Sequence, residues 1–127
     1  MFATVLLPID RSREAAEAST RALELAREHG SRVVLLAVVE AEREAMQDPA
    51  RVAELLERAR QPFAAASIAC EVLEREGKPA FVICDVADEI DADLIVMSTR
   101  GVSIEEDEHS TASRVIQLSP CPVLVVP

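Results

Sequence analysis

The chain contains no tryptophan and no tyrosine, and Phe2, Phe63 and Phe81 are its only aromatic residues. Base-stacking platforms and aromatic sugar sites have almost nothing to be built from, and no aromatic pair is at hand to sandwich a flavin. Lysine is scarcer still: Lys78 stands alone among 13 basic residues, the others being arginine. Schiff-base and P-loop chemistry both need a lysine, so each has a single candidate. Long apolar runs are missing as well. The longest, Val33 to Val39, falls far short of the ~20 helical residues that span a bilayer. The opening residues, Met1 to Pro8, carry no basic segment and run into Asp10 and Arg11, so they are not expected to form a signal peptide.

Positive charge is in deficit. Thirteen basic against 23 acidic residues leave a formal net charge of −10 and an isoelectric point near 4.6. Such a surface repels phosphodiester backbones and anionic lipid, which disfavours nucleic acid and membrane as partners. Cysteine is limited to Cys70, Cys84 and Cys121, an odd number without C-x-x-C spacing. Reduced apolar thiols in the cytoplasm fit that pattern better than a disulfide framework or a zinc site. With 127 residues, 50% hydrophobic and 28% charged, the chain is expected to form one folded domain.

The hydrophobic period switches between two patterns along the chain. Thr4 to Ile9 is a short continuous apolar run of buried-strand type. Ser12 is a candidate N-cap for a helix over Arg13–His29, with Ala15, Ala18, Ser19, Ala22, Leu23 and Ala26 on one stripe. Gly30 sits where a left-handed residue would stop it. Val33 to Val39 reads as a strand buried on both faces. Residues 40–50 read as a polar connection, and Pro49 suits the first turn of a helix over 50–61 whose apolar face is Val52, Leu55, Leu56 and Ala59. Pro62 is expected to break or kink that helix, with the alanines at 64–66 able to extend it. Cys70 to Arg75 suits an edge strand, and Gly77-Lys78-Pro79 a turn into a helix at 80–91. Leu94 to Met97 reads as a strand, 101–109 as a polar loop, Ser110 to Leu118 as a helix and Val123 to Val126 as a last strand. Strands alternating with helices demand right-handed crossovers, hence an α/β domain with a parallel five-stranded sheet and helices on both faces.

In open parallel sheets, ligands bind beyond the carboxyl ends of the strands, where neighbouring connections diverge. Pro8-Ile9-Asp10, Val38-Val39 and Ser98-Thr99-Arg100-Gly101 all fall at that edge, as does the helix start at His109-Ser110-Thr111. A helix start there offers free backbone N–H groups to an anion. Asp10 has two readings, as a carboxylate accepting hydrogen bonds from a ribose or an adenine amino group, and as a helix cap. No P-loop, no G-x-G-x-x-G and no G-x-S-x-G occurs, and the only histidines are His29 and His109. No catalytic residue is therefore expected. The run Glu105 to Glu108 lacks the alternating ligands and turn glycine of a calcium loop and reads as solvated.

Four segments resemble the universal stress protein family. Val5-Leu6-Leu7-Pro8-Ile9-Asp10-Arg11-Ser12 is similar to its opening I-L-V-P-V-D-G-S, and Asp93 to Gly101 to its D-L-I-V-M-G-S/T-R-G. Ser119-Pro120-Cys121-Pro122-Val123-Leu124-Val125-Val126 is similar to its closing A-P-C-P-V-L-V-V, and Arg75 to Pro79 to the turn before its third helix. The resemblance runs over the whole chain in the right order. It implies a Rossmann-like sheet of order 3-2-1-4-5, a homodimer, and an adenine-nucleotide pocket using Pro8, Ile9, Asp10, Val38 and Met97 for base and ribose. The phosphate loop of nucleotide-binding members, G-x2-G-x9-G-[S/T], is matched in part: Ser98 and His109 replace two glycines, Gly101 and Ser110 survive, and Val102 to Glu108 supplies seven spacer residues instead of nine. Arg100 lies within the same loop, before Gly101, and Thr111 follows it.

Glycines in such a loop allow positive φ and bring backbone N–H groups against phosphate without an intervening Cβ. Losing two of them, and two spacer residues, impairs that approach more than the acidic run does. Each unit-charge pair costs at most ~1 kcal/mol at 4 Å in water. A bound magnesium would offset the charge but not the lost glycines. The expectation is a non-catalytic module with weak or lost ATP binding, or with a preference for a monophosphate such as AMP. The alternative retains ATP, with slow hydrolysis and His109 as a phosphate donor. A receiver-like phosphoacceptor is disfavoured because no lysine follows the last strand. In the implied sheet order, Val123 to Val126 lies at an edge and carries no charge or internal proline, which points to homodimer pairing through that strand.

Overall fold

The structure, a computed structural model, describes residues 1–10, 13–40, 48–98 and 111–127, with the backbone alone at 13 and 14. Along these residues run β1 (Thr4–Pro8), α1 (Arg13–His29), β2 (Arg32–Val39), α2 (Pro49–Ala65), β3 (Cys70–Glu76), α3 (Pro79–Glu89), β4 (Leu94–Ser98), α4 (Thr111–Leu118) and β5 (Val123–Val126). The strands form one sheet of order β3-β2-β1-β4-β5, every neighbouring pair parallel. Both the alternation and the implied order are thus observed. Ser12, the expected cap of α1, lies outside the described residues, as do the polar loop at 101–109 and residue 110.

Alternate strand residues feed two cores. On one face Val5, Leu7, Val33, Leu35 and Val96 pack with Ala18, Ala22 and Ala26 of α1 and with Val52, Leu56 and Phe63 of α2. On the other, Leu6, Val34, Leu36 and Ile95 pack with Ala80, Ile83, Cys84 and Ala87 of α3 and with Ala112 and Val115 of α4. A two-residue period seen by helices on both sides explains why the strands are apolar without interruption.

Local signals set most boundaries. Helix α1 stops at Gly30, whose φ of +64° is left-handed, and Ser31 N–H closes back on the Ala26 carbonyl at 3.0 Å. Asp48 caps α2 by accepting the Ala50 N–H at 3.0 Å, with Pro49 in the first turn. The expected turn before α3 is built on Gly77 (φ +140°), where a Cβ would stand 2.8 Å from Val82 Cγ2. One expectation changes. Pro62 does not end α2, which continues to Ala65. The next residue, Phe63, is the largest fully buried side chain (1% exposed), so its burial holds the last turn helical although Pro62 donates no N–H to it.

Candidate functional site

The sheet opens where β1 and β4 part. At the amino edge they are clamped: the Asp93 carboxylate accepts the Thr4 N–H at 2.9 Å, and Asp93 N–H donates to the Thr4 carbonyl at 2.8 Å. Toward the carboxyl edge their register ends at Leu6↔Ile95. Beyond it, β1 stays with β2 through Leu7↔Leu35 and Pro8↔Leu36, while Met97 and Ser98 stay with Val125 and Val126 of β5. Helices α1 and α4 leave this gap to opposite faces, which makes it the switch point of the topology. Pro8 contributes directly, having no N–H to offer a second neighbour.

The expected pocket residues that are described gather around this gap. Pro8 ends β1 half-buried; Ile9 is 6% exposed, tied down by its N–H to the Leu36 carbonyl at 2.8 Å; half-buried Asp10 follows. Val38 and Met97 are 8% and 5% exposed and share the α3/α4 core with Ala112 of α4. Buried Ser98 closes β4, and half-buried Thr111 opens α4. Ile9 belongs instead to the α1/α2 core, so the apolar positions line the gap from both faces. Arg100, Gly101, His109 and Ser110 lie outside the described residues. Sequence reasoning did not single out Ala112, which sits one residue inside α4 and belongs to the same core as Met97; only its helical phase with Val115 could have signalled it.

The described residues carry little reactive chemistry. The three thiols are free, and burial pushes each above its ordinary range, Cys70 to about 11. Thiolate is therefore scarce at neutral pH, which suits structural thiols and not nucleophiles. Among the described residues no group of three or more His, Cys, Asp or Glu side chains could hold a metal ion, and no helix is long and apolar enough to cross a membrane. What remains at the gap is a set of buried apolar strand ends, one carboxylate and a helix start, residue types that suit holding a small molecule.

All of residues 1–127 match the model of the universal stress protein family. Universal stress protein Sll1654 of Synechocystis sp. is 48% identical over 136 aligned positions, covering 100% of this chain and 87% of the relative. A crystal structure of a universal stress protein in complex with cAMP superposes with a TM-score of 0.85 at 22% identity, covering 99% of this chain and 97% of that one. The universal stress protein from Archaeoglobus fulgidus in complex with dAMP gives 0.75 at 24% identity, covering 100% and 98%. At such identities the two structures speak for the fold. Together with the full-length family match and the relative at 48% identity, the five-stranded sheet and its parted strands place the chain in one family: it belongs to the universal stress proteins.

Proposed function

We propose that this protein is a homodimeric, non-catalytic regulatory or protective module of the cytoplasm, built as one domain, whose pocket between β1 and β4 takes an adenine nucleotide weakly and prefers a monophosphate to ATP. The observation that carries the reading is the parting of β1 and β4 beyond Leu6↔Ile95, with the nearly buried Ile9, Val38 and Met97 and the half-buried Asp10 at the strand ends around it. Buried apolar walls with one convergent acceptor suit a purine and a ribose. Relatives of the same fold in complex with cAMP and dAMP support the choice of ligand. Ser98 and His109, standing where glycines would let backbone reach phosphate, and the seven-residue spacer between Gly101 and His109, support the low affinity for a triphosphate. Ser110 and Thr111 would offer hydroxyls to a single phosphate, and Arg100 a charge.

Titration calorimetry tests the pocket. Mg-ATP is expected to bind with a dissociation constant above roughly 100 μM, weaker than about −5.5 kcal/mol, and AMP to bind more tightly. Submicromolar ATP binding, or ATP carried stoichiometrically through purification, overturns the reading in favour of an ATP-binding member. Asp10→Ala should weaken AMP binding with little change in melting temperature. If that change instead lowers stability by ~1 kcal/mol and leaves affinity alone, Asp10 is only a cap. Incubation with Mg-ATP should release no phosphate above a buffer control.

The proposed dimer joins two β5 strands about a two-fold axis. Its support is an edge strand of Val123, Leu124, Val125 and Val126, without charge and with Leu124 39% exposed. Sedimentation equilibrium decides it: a 13.8 kDa species persisting at tens of micromolar removes the dimer.

A further inference from the structure

Between α1 and α2 runs an open groove of about 330 Å³. Its cause is geometric. Helix α1 is seated over β1, β4 and β5, and α2 over β2 and β3, so the sheet holds the two helices apart. Small side chains leave part of the seam unfilled: Ala16 and Ser19 from α1 and Ala59 from α2 line it together with Leu23 and Leu55, over a floor that includes Ile9 and Phe63. The volume falls at the low end of the roughly 300–1,000 Å³ of small-molecule sites, and the lining is apolar except for a few groups. Among the described residues, two of these carry charge. Arg58 is engaged by Glu54 at 3.1 Å, and Asp10 stands where the groove meets the end of β1. A carboxylate has about four lone-pair directions, so Asp10 can serve a ligand alongside its interactions within the chain. The net charge of −10 further favours a cation over an anion.

We propose that the α1–α2 groove binds a small amphiphile with an apolar body and a protonated amine head, the head resting at Asp10. The site is distinct from the nucleotide slot, since Val38 and Met97 lie on the opposite face of the sheet, and it does not depend on nucleotide being bound there. Among the described residues, Ile9 and Asp10 border both.

The probe is N-phenyl-1-naphthylamine, whose fluorescence rises in an apolar site, titrated into the full chain and displaced with octylamine or octanoate. Octylamine is expected to displace it at about tenfold lower concentration than octanoate, the discrimination of one charge-assisted hydrogen bond. Asp10→Asn should reduce that ratio to about twofold or less, and Ala16→Trp, at an exposed position on the rim of the groove, should weaken the probe about tenfold by occupying it. Equal displacement by the acid sinks the amine head, and unchanged probe binding in Ala16→Trp sinks the groove. Should either variant misfold, amide NMR of the unmodified protein decides: octylamine must shift Ala16, Thr20, Leu23 and Ala59, and shifts confined to other residues overturn the proposal. Loss of AMP binding with retained probe binding would count against the nucleotide reading and not against this one.

Discussion

The two edges of the sheet differ in length, charge and partners. Strand β3 pairs with β2 over seven positions, from Val33↔Cys70 to Val39↔Glu76, and its outward groups include Glu71, Glu74, Arg75 and Glu76. Two of these charges are held: Glu71 by Arg32 at 2.7 Å and Arg75 by Glu89 of α3 at 3.3 Å. Strand β5 pairs with β4 over four positions and has no charged residue. Each edge exposes one apolar residue toward the α1/α2 face, Val72 at 41% and Leu124 at 39%. Equal exposure therefore hides unequal consequences. An exposed apolar residue among charges is an ordinary surface feature, whereas one on an uncharged edge with free backbone groups is a template for pairing.

Removing the protection of β3 should produce the largest change. A variant carrying Glu71→Thr, Glu74→Thr, Arg75→Thr and Glu76→Thr would have two pairing edges, and a chain with two self-complementary surfaces cannot close at a dimer. Light scattering should show species well beyond twice 13.8 kDa; a variant that assembles no further than the parent would break the contrast. Next in size, Leu124→Lys should weaken the proposed dimer by about tenfold or more, because each of two copies brings a charge to the seam. Val72→Lys, at the same exposure, should leave the association constant within about twofold. Equal effects at the two sites would show that the edges are not different in kind.

A smaller effect concerns the thiol at the start of β3. Burial pushes Cys70 up to about 11, against a lowering pull from the nearby Arg60 charge. Its alkylation by iodoacetamide should stay slow at pH 8 and accelerate as pH approaches 11. Because the folded value lies above the ordinary 9.0, the stability this thiol contributes is complete below pH 9 and is lost as pH rises through 11. A Cys70→Ser variant should accordingly lose less stability than the parent over that interval. Smallest of all, Glu71→Ala removes an exposed ion pair and should cost about 0.5 kcal/mol or less in urea denaturation, with no change in oligomeric state.

Much of the fold was legible because its signals are local. The continuous apolar runs of β1, β2 and β4 lie in a sheet covered on both faces, and the helical stripe of Ala15, Ala18, Ala22 and Ala26 is buried as its spacing requires. Boundaries moved by a residue or two: β2 begins at Arg32, β3 runs on to Glu76 and α3 ends at Glu89. His29 is exposed but meets the Phe2 ring edge-on at 5.5 Å. No periodicity could announce that contact, since Phe2 reaches it through a left-handed φ of +55° and a hydrogen bond from Ser31 Oγ to its carbonyl. Of the candidate site, Pro8, Ile9, Asp10 and Val38 were legible as strand ends, while Met97 entered only through the family resemblance.

The sequence by itself determined the order of elements, the parallel sheet and the stop at Gly30, because each depends on side chains within a few residues or on a period of two or 3.6. Tertiary structure alone decided three things. Helix α2 passes through Pro62 because Phe63 gains more from the core than the lost hydrogen bond costs. Strands β1 and β4 part after Leu6↔Ile95 because each keeps a different outer neighbour to its end. And α1 and α2 leave a groove between them because the strands beneath, not the helices, set their spacing. Each is a competition between groups far apart in the chain, and such competitions are settled only when those groups meet.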